Sequence, residues 1–89
     1  MNYQIPTGIN RDYTLIMITS AALNITLPAV KLDQVIHIRN RGGVTLSILI
    51  PTGVTVYPVG LGGQTTSWSL VANASLNIIS DGTANWYGF

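Results

Sequence analysis

Eighty-nine residues with no cysteine and one histidine make one small domain, without disulfides or a thiolate metal site to brace it. A formal net charge of +1, from charged residues that are 8% of the chain, excludes the basic footprint of a nucleic-acid binder. A domain this size buries only about 60–65% of its unfolded surface, and 47% of these residues are hydrophobic. Copies of the same chain are therefore the expected aid to stability.

Residues 1–12 hold Pro6, Gly8 and two Asn with little periodicity. They read as an extended arm, with Tyr3, Ile5, Pro6 and Ile9 as the groups that would dock on a neighbour or a larger assembly. The alternative is a frayed start. The stretch lacks the basic start and apolar core of a secretory signal. No apolar run in the chain reaches the roughly 18 residues of a membrane span. Synthesis in the cytoplasm, without membrane insertion, is expected.

Residues 13–89 read as a single β domain. In YTLIMITSAAL, residues 13–23, the Thr and Ile content favours a strand, because β-branched side chains pack well on a pleated surface. Period two then recurs. Leu23, Ile25 and Leu27 oppose Asn24 and Thr26. Ile36 and Ile38 oppose Val35, His37 and Arg39. Val44, Leu46, Ile48 and Ile50 oppose Thr45, Ser47 and Leu49. Val54 and Val56 oppose Thr55 and Tyr57, Trp68 and Leu70 oppose Ser67 and Ser69, and Leu76 and Ile78 oppose Asn77 and Ile79. Gly, Pro, Asn and Asp punctuate these runs, and no 3.6-residue stripe persists over ten positions. About seven short strands in a small antiparallel β-sandwich or barrel-like domain are expected.

The second faces of these strands should be polar if they met only water. They carry Val35, Leu49, Tyr57, Val71 and Ile79 instead. Isolated exposed apolar groups are normal. With so little charge in the chain, contact with neighbouring subunits is the sharper reading.

The residues offer little catalytic chemistry. Asp12, Asp33 and Asp81 are the only acids, and there is no Glu. Asp33 and Asp81 sit at apparent loop positions, where Asp serves turns. No nucleophile turn of the G-x-S-x-G kind accompanies His37. His37 falls mid-strand on the less buried face, although three copies around an axis could converge on a metal or anion. GLGGQ, residues 60–64, has no helix after it to make a phosphate cradle, and reads as an inter-strand loop. No enzyme activity and no cofactor are expected. Trp68 and Trp86 are read as core or subunit contacts. Tyr57 faces away from Val54 and Val56 and is the candidate contact for a neutral ligand such as a glycan.

The order ALNITLPAV, QVIHIRNRGG, VTLSILIPTGVTV, SLNIISDGTANWYGF resembles a module of bacteriophage tail fibres and related virion fibre or spike proteins. The matching positions are Leu27-Pro28-Ala29, Asn40-Arg41-Gly42, Pro51-Thr52-Gly53, and Ser80-Asp81-Gly82 followed by Trp86-Tyr87. The resemblance runs from about Tyr13 to the end. It implies an all-β homotrimer in a virion, synthesised in the bacterial host cytoplasm, with a structural or host-attachment role. Its implied partners are copies of itself, other capsid or tail proteins, and host-surface carbohydrate. A capsid decoration (head-fibre) protein anchored by residues 1–12 and a lectin-like module are the alternatives. Candidate subunit-interface residues are Val35, Leu49, Ile79, Tyr87 and Phe89.

The last ten residues, SDGTANWYGF, read as a turn at Asp81-Gly82 and a closing strand. In period two Trp86 faces one way, and Tyr87 and Phe89 the other.

Overall fold

The computed structural model of the chain describes residues 2–6, 12–18, 23–30 and 32–89. Nine strands run through them: β1 Asn2–Gln4, β2 Asp12–Met17, β3 Asn24–Thr26, β4 Leu32–Asn40, β5 Leu46–Leu49, β6 Thr55–Tyr57, β7 Ser67–Leu70, β8 Ser75–Asp81 and β9 Asn85–Gly88. Among the described residues there is no helix. One sheet has the order β1-β3-β5-β7 and the other β2-β4-β8-β9-β6. The all-β expectation holds. The antiparallel design of about seven strands does not, because β1–β3, β2–β4, β3–β5 and β6–β9 pair parallel. The pairs β4–β8, β5–β7 and β8–β9 are antiparallel.

The path of the chain explains the parallel pairs. From β1 to β8 it alternates between the two sheets, strand by strand. Parallel neighbours cannot be joined by a tight hairpin and need a crossover. Here the crossover is a strand in the opposite sheet. Asn2 lies beside Asn24 and Asn24 beside Ser47, steps of 22 and 23 residues, and Asp12 lies beside Val35 after 23.

This register aligns NYQIP (2–6), NITLP (24–28) and SILIP (47–51) as successive rungs. Ile5, Leu27 and Ile50 are buried at equivalent levels. Their N–H groups donate to the carbonyls of Thr26 in β3, Leu49 in β5 and Thr66 just before β7. Each is followed by a proline, which has no N–H and ends the ladder as the chain turns away.

The arm expected over residues 1–12 therefore differs in the structure. Asn2–Gln4 is a strand paired with β3, Tyr3 packs against the core, and Ile5 is 0% exposed. Pro6 is exposed, and Ile9 lies outside the described residues. Ile5 is held because it fills the same core level as Leu27 and Ile50. Asp33, expected in a loop, lies within β4, near a register irregularity between Leu32 and Val35 in the pairing with β8.

Between β8 and β9 the pattern changes: these consecutive strands share a sheet. Gly82 at φ 82° supplies the left-handed turn that a side chain resists. The hairpin lies between β4 and β6, so β6 pairs with β9 and not with β4.

Inward residues of both sheets form one buried cluster. Ile25, Ile48 and Leu70 come from the first sheet, and Ile36, Ile78 and Trp86 from the second. Trp86 is 0% exposed. The closing strand thus contributes the largest of the fully buried side chains, which accounts for an indole so near residue 89.

Two polar contacts tie the sheets together. The Tyr3 and Tyr13 hydroxyls hydrogen-bond across from β1 to β2. That bond, followed by burial, pushes the Tyr13 pKa up to about 12. At the last residue of β4, the buried Asn40 Nδ2 donates to the carbonyls of Val44 (2.7 Å), Leu70 (3.0 Å) and Val71 (3.1 Å), and Oδ1 accepts the Gly42 N–H at 3.2 Å. An amide has two N–H donors and a carbonyl acceptor, which serves this set where a carboxylate could not.

Asn40→Asp keeps the shape but turns a carboxylate toward three carbonyl oxygens. We expect a loss on the order of 3 kcal/mol, read as a lower urea midpoint. An unchanged midpoint would remove Asn40 as the tie. Trp86→Ala should cost about 3–5 kcal/mol. Trp86→Phe should cost much less, because the buried indole N–H has no hydrogen-bond partner among the described residues.

Candidate functional site: the outer face of the five-stranded sheet

The outward faces of the two sheets differ in chemistry. On the four-stranded sheet, Asn24, Ser47 and Ser69 form one row, and Gln4, Thr26, Leu49 and Ser67 the next. Leu49, expected at a subunit interface, is half-buried and stands alone among polar neighbours.

The five-stranded sheet carries the apolar groups. Val35 of β4 lies opposite Ile79 of β8, Ile79 opposite Tyr87 of β9, and Tyr87 beside Tyr57 of β6. One row thus crosses four strands with no charged residue, until Asp12 at the β2 edge. Ile79, Tyr87 and Tyr57 are 41%, 43% and 37% exposed. The Tyr57 and Tyr87 rings stack with centroids 5.2 Å apart at 10°.

The adjacent row runs from Thr14 through His37 to Asn77. Phe89 follows β9 there, and its N–H donates to the Asn77 carbonyl at 3.0 Å. His37 Nδ1 lies 2.8 Å from Asn77 Oδ1. A carboxamide oxygen only accepts, so Nδ1 carries the proton and donates. The Phe89 ring meets the imidazole edge-on, with centroids at 5.9 Å. Four of the five expected interface residues, Val35, Ile79, Tyr87 and Phe89, thus share one face with Tyr57. Ile16, 57% exposed on β2 next to Arg39, extends the apolar surface. Its signal was the alternation of DYTLIM, which a uniformly apolar stretch conceals.

Close backbone approach fixes this face. A Cβ on Gly88 would lie 2.8 Å from the Val59 nitrogen and 3.1 Å from the Tyr57 carbonyl oxygen. Glycine therefore lets β9 pass the end of β6, which keeps Tyr57 and Tyr87 side by side. The GLGGQ loop is tied back to the same strand. Gln64 and Val56 exchange N–H···O bonds of 2.7 and 2.9 Å, and the chain continues into β7.

Asp81 is engaged by the turn that follows β8. Asp81 Oδ1 accepts N–H groups of Thr83 (2.8 Å), Ala84 (3.2 Å) and Asn85 (3.2 Å), and Oδ2 accepts Asn85 Nδ2 at 2.7 Å. The Thr83 N–H, then the Asn85 amide, hold its carboxyl below the ordinary value. Among the described residues no group of three or more His, Cys, Asp or Glu could hold a metal, and no helix is long and apolar enough to cross a membrane.

No family model, curated protein or solved structure matches the chain.

Gly88→Ala should lower stability by about 1–3 kcal/mol through backbone displacement, read by thermal melting. An unchanged melting temperature would show that the approach relaxes freely. For Asp81, the folded carboxyl binds its proton less tightly than the unfolded one. Its contribution is complete above the ordinary pKa of 3.8 and disappears as pH falls through the lowered value. The stability gap between wild type and Asp81→Asn should therefore narrow in strong acid. A gap independent of pH from neutrality to acid would contradict this role.

Proposed function

We propose that the chain is a non-enzymatic virion structural module that works as a homotrimer, with the outer face of the five-stranded sheet packed against copies of itself. The observation that carries this reading is the uncharged row Val35–Ile79–Tyr87–Tyr57, on a chain whose charged residues are only 8%. Exposed aromatic and aliphatic groups in a contiguous row mark interaction surfaces. The order of the Leu-Pro-Ala, Asn-x-Gly, Pro-x-Gly and Ser-Asp-Gly…Trp-Tyr motifs supports a place in a phage fibre or spike, among other capsid or tail proteins. The polar face of the four-stranded sheet is suited to water.

The Ile5 burial bears on the decoration alternative. Deleting residues 1–12 would remove β1 and a core side chain together, so that deletion does not isolate docking.

Light scattering should give three times the 9.5 kDa chain mass, and dilution should lower the melting temperature. Ile79→Lys should dissociate the assembly while leaving the β circular-dichroism spectrum intact. Leu49→Lys, on the polar face, should leave the mass unchanged. A monomeric wild type whose melting temperature ignores concentration would refute the proposal.

A further inference from the structure

The edge of a sheet offers its backbone N–H and C=O groups to another strand. Among the described residues the edges are β1 and β7 in one sheet and β2 and β6 in the other. Three of them are short or covered. β1, β6 and β7 have three, three and four residues. Pro6 closely follows β1, and Gln64 takes up both backbone groups of Val56 on β6. β2 is different. It runs for six residues, Asp12–Met17, without the proline or lysine that commonly guards an edge.

The Met17 carbonyl accepts the Arg41 N–H. Backbone groups along a strand alternate in side, so those of Tyr13, Leu15 and Met17 face β4. Those of Asp12, Thr14 and Ile16 face outward. Burial also thins here. Ile36 and Ile38 of β4 are 0% exposed, whereas Tyr13 and Leu15 beside them are half-buried.

We propose that the β2 edge is a two-fold contact, at which a second copy of this chain adds its own β2 antiparallel. The five-stranded sheet then continues from one copy into the next. Thr14 is the central outward residue, so the axis passes between the two Thr14 residues. Tyr13 lies opposite the other copy's Leu15, and each covers what the other leaves half-buried. Asp12 lies opposite the other copy's Ile16, which is flanked by Arg39 on β4. Asp12 and the other copy's Arg39 thus share one row, two strand spacings or about 10 Å apart at the backbone, a gap that the long arginine side chain bridges. Within one chain the same two residues are separated by about 13 Å along the strands. An exposed ion pair adds little strength, but here it selects the register.

This contact is not the trimer's. A two-fold pair closes on itself, so three copies about one axis do not form it. It joins two trimers as readily as two monomers. One pair of six-residue strands is smaller than a standard stable interface, so it forms at high concentration, or where copies are held close together.

Sedimentation equilibrium of the full chain from about 10 µM to about 1 mM tests the contact. The mass at the low end reports on the trimer. The edge contact doubles that mass, whatever it is, and growth then stops. Thr14→Pro removes an outward N–H that β4 does not use. It should abolish the doubling, or halve the mass if doubling is already complete at the low end. Asp12→Arg should raise the concentration needed for doubling about fivefold or more, and adding Arg39→Asp should restore it. If Thr14→Pro does not fold, the outward Ile16 amide of the wild type decides: its hydrogen exchange should slow about tenfold at the high end. A low-end monomer that doubles would sink the trimer and leave the edge contact standing. A mass fixed at one or three chains throughout would overturn the edge contact. So would growth past doubling, or a double variant that pairs no better than Asp12→Arg.

Discussion

Everything in this molecule depends on one apolar core shared by two sheets. Ile25, Ile48 and Leu70 cannot be buried without the sheet that bears Ile36, Ile78 and Trp86. A single sheet of three- and four-residue strands would leave one apolar face in water. The alternating path builds both sheets at once. Each rung adds a strand to each layer, and the Ile-Pro or Leu-Pro corners at residues 5–6, 27–28 and 50–51 stop the ladder at a common level.

The polar residues at the margins of that core serve it. The buried Asn40 carboxamide satisfies carbonyls at the end of β7 and in the following turn, where the ladder ends. Asp81 organises the turn that brings β9 back, and with it Trp86. The β8–β9 hairpin separates β4 from β6 and places aromatic residues in the middle of the five-stranded sheet. Its inward residue, Trp86, supports the core. Its outward residue, Tyr87, stacks on Tyr57. The same short strand therefore couples stability to the surface that the trimer proposal uses.

Much of this was legible in the residues. Alternation placed Ile25, Ile36, Ile48 and Ile78 inward and Val35, Ile79 and Tyr87 outward, because side chains on a strand have a period of two. The turn at Asp81-Gly82 and the opposed faces of Trp86 and Tyr87 followed from the same rule. Parallel pairing was not legible. A Gly or Pro signal says that the chain leaves a strand, but not whether the next strand joins the same sheet or the opposite one. Ile5 looked like part of an arm because NYQIP is a single short rung. Its meaning appears only beside NITLP and SILIP.

The sequence by itself determined the all-β class, the inward and outward residues of β3 to β9, and the closing role of the last residues. These follow from local sterics and from the pleat. The tertiary structure alone decided that Val35, Ile79, Tyr87 and Tyr57 form one row while Leu49 stands on the opposite surface. It also decided that Trp86 is sealed in the core while Trp68, on the edge strand β7, stays half-buried. Such neighbours are set by strand order and register across the sheets, and those depend on packing between segments far apart in the chain.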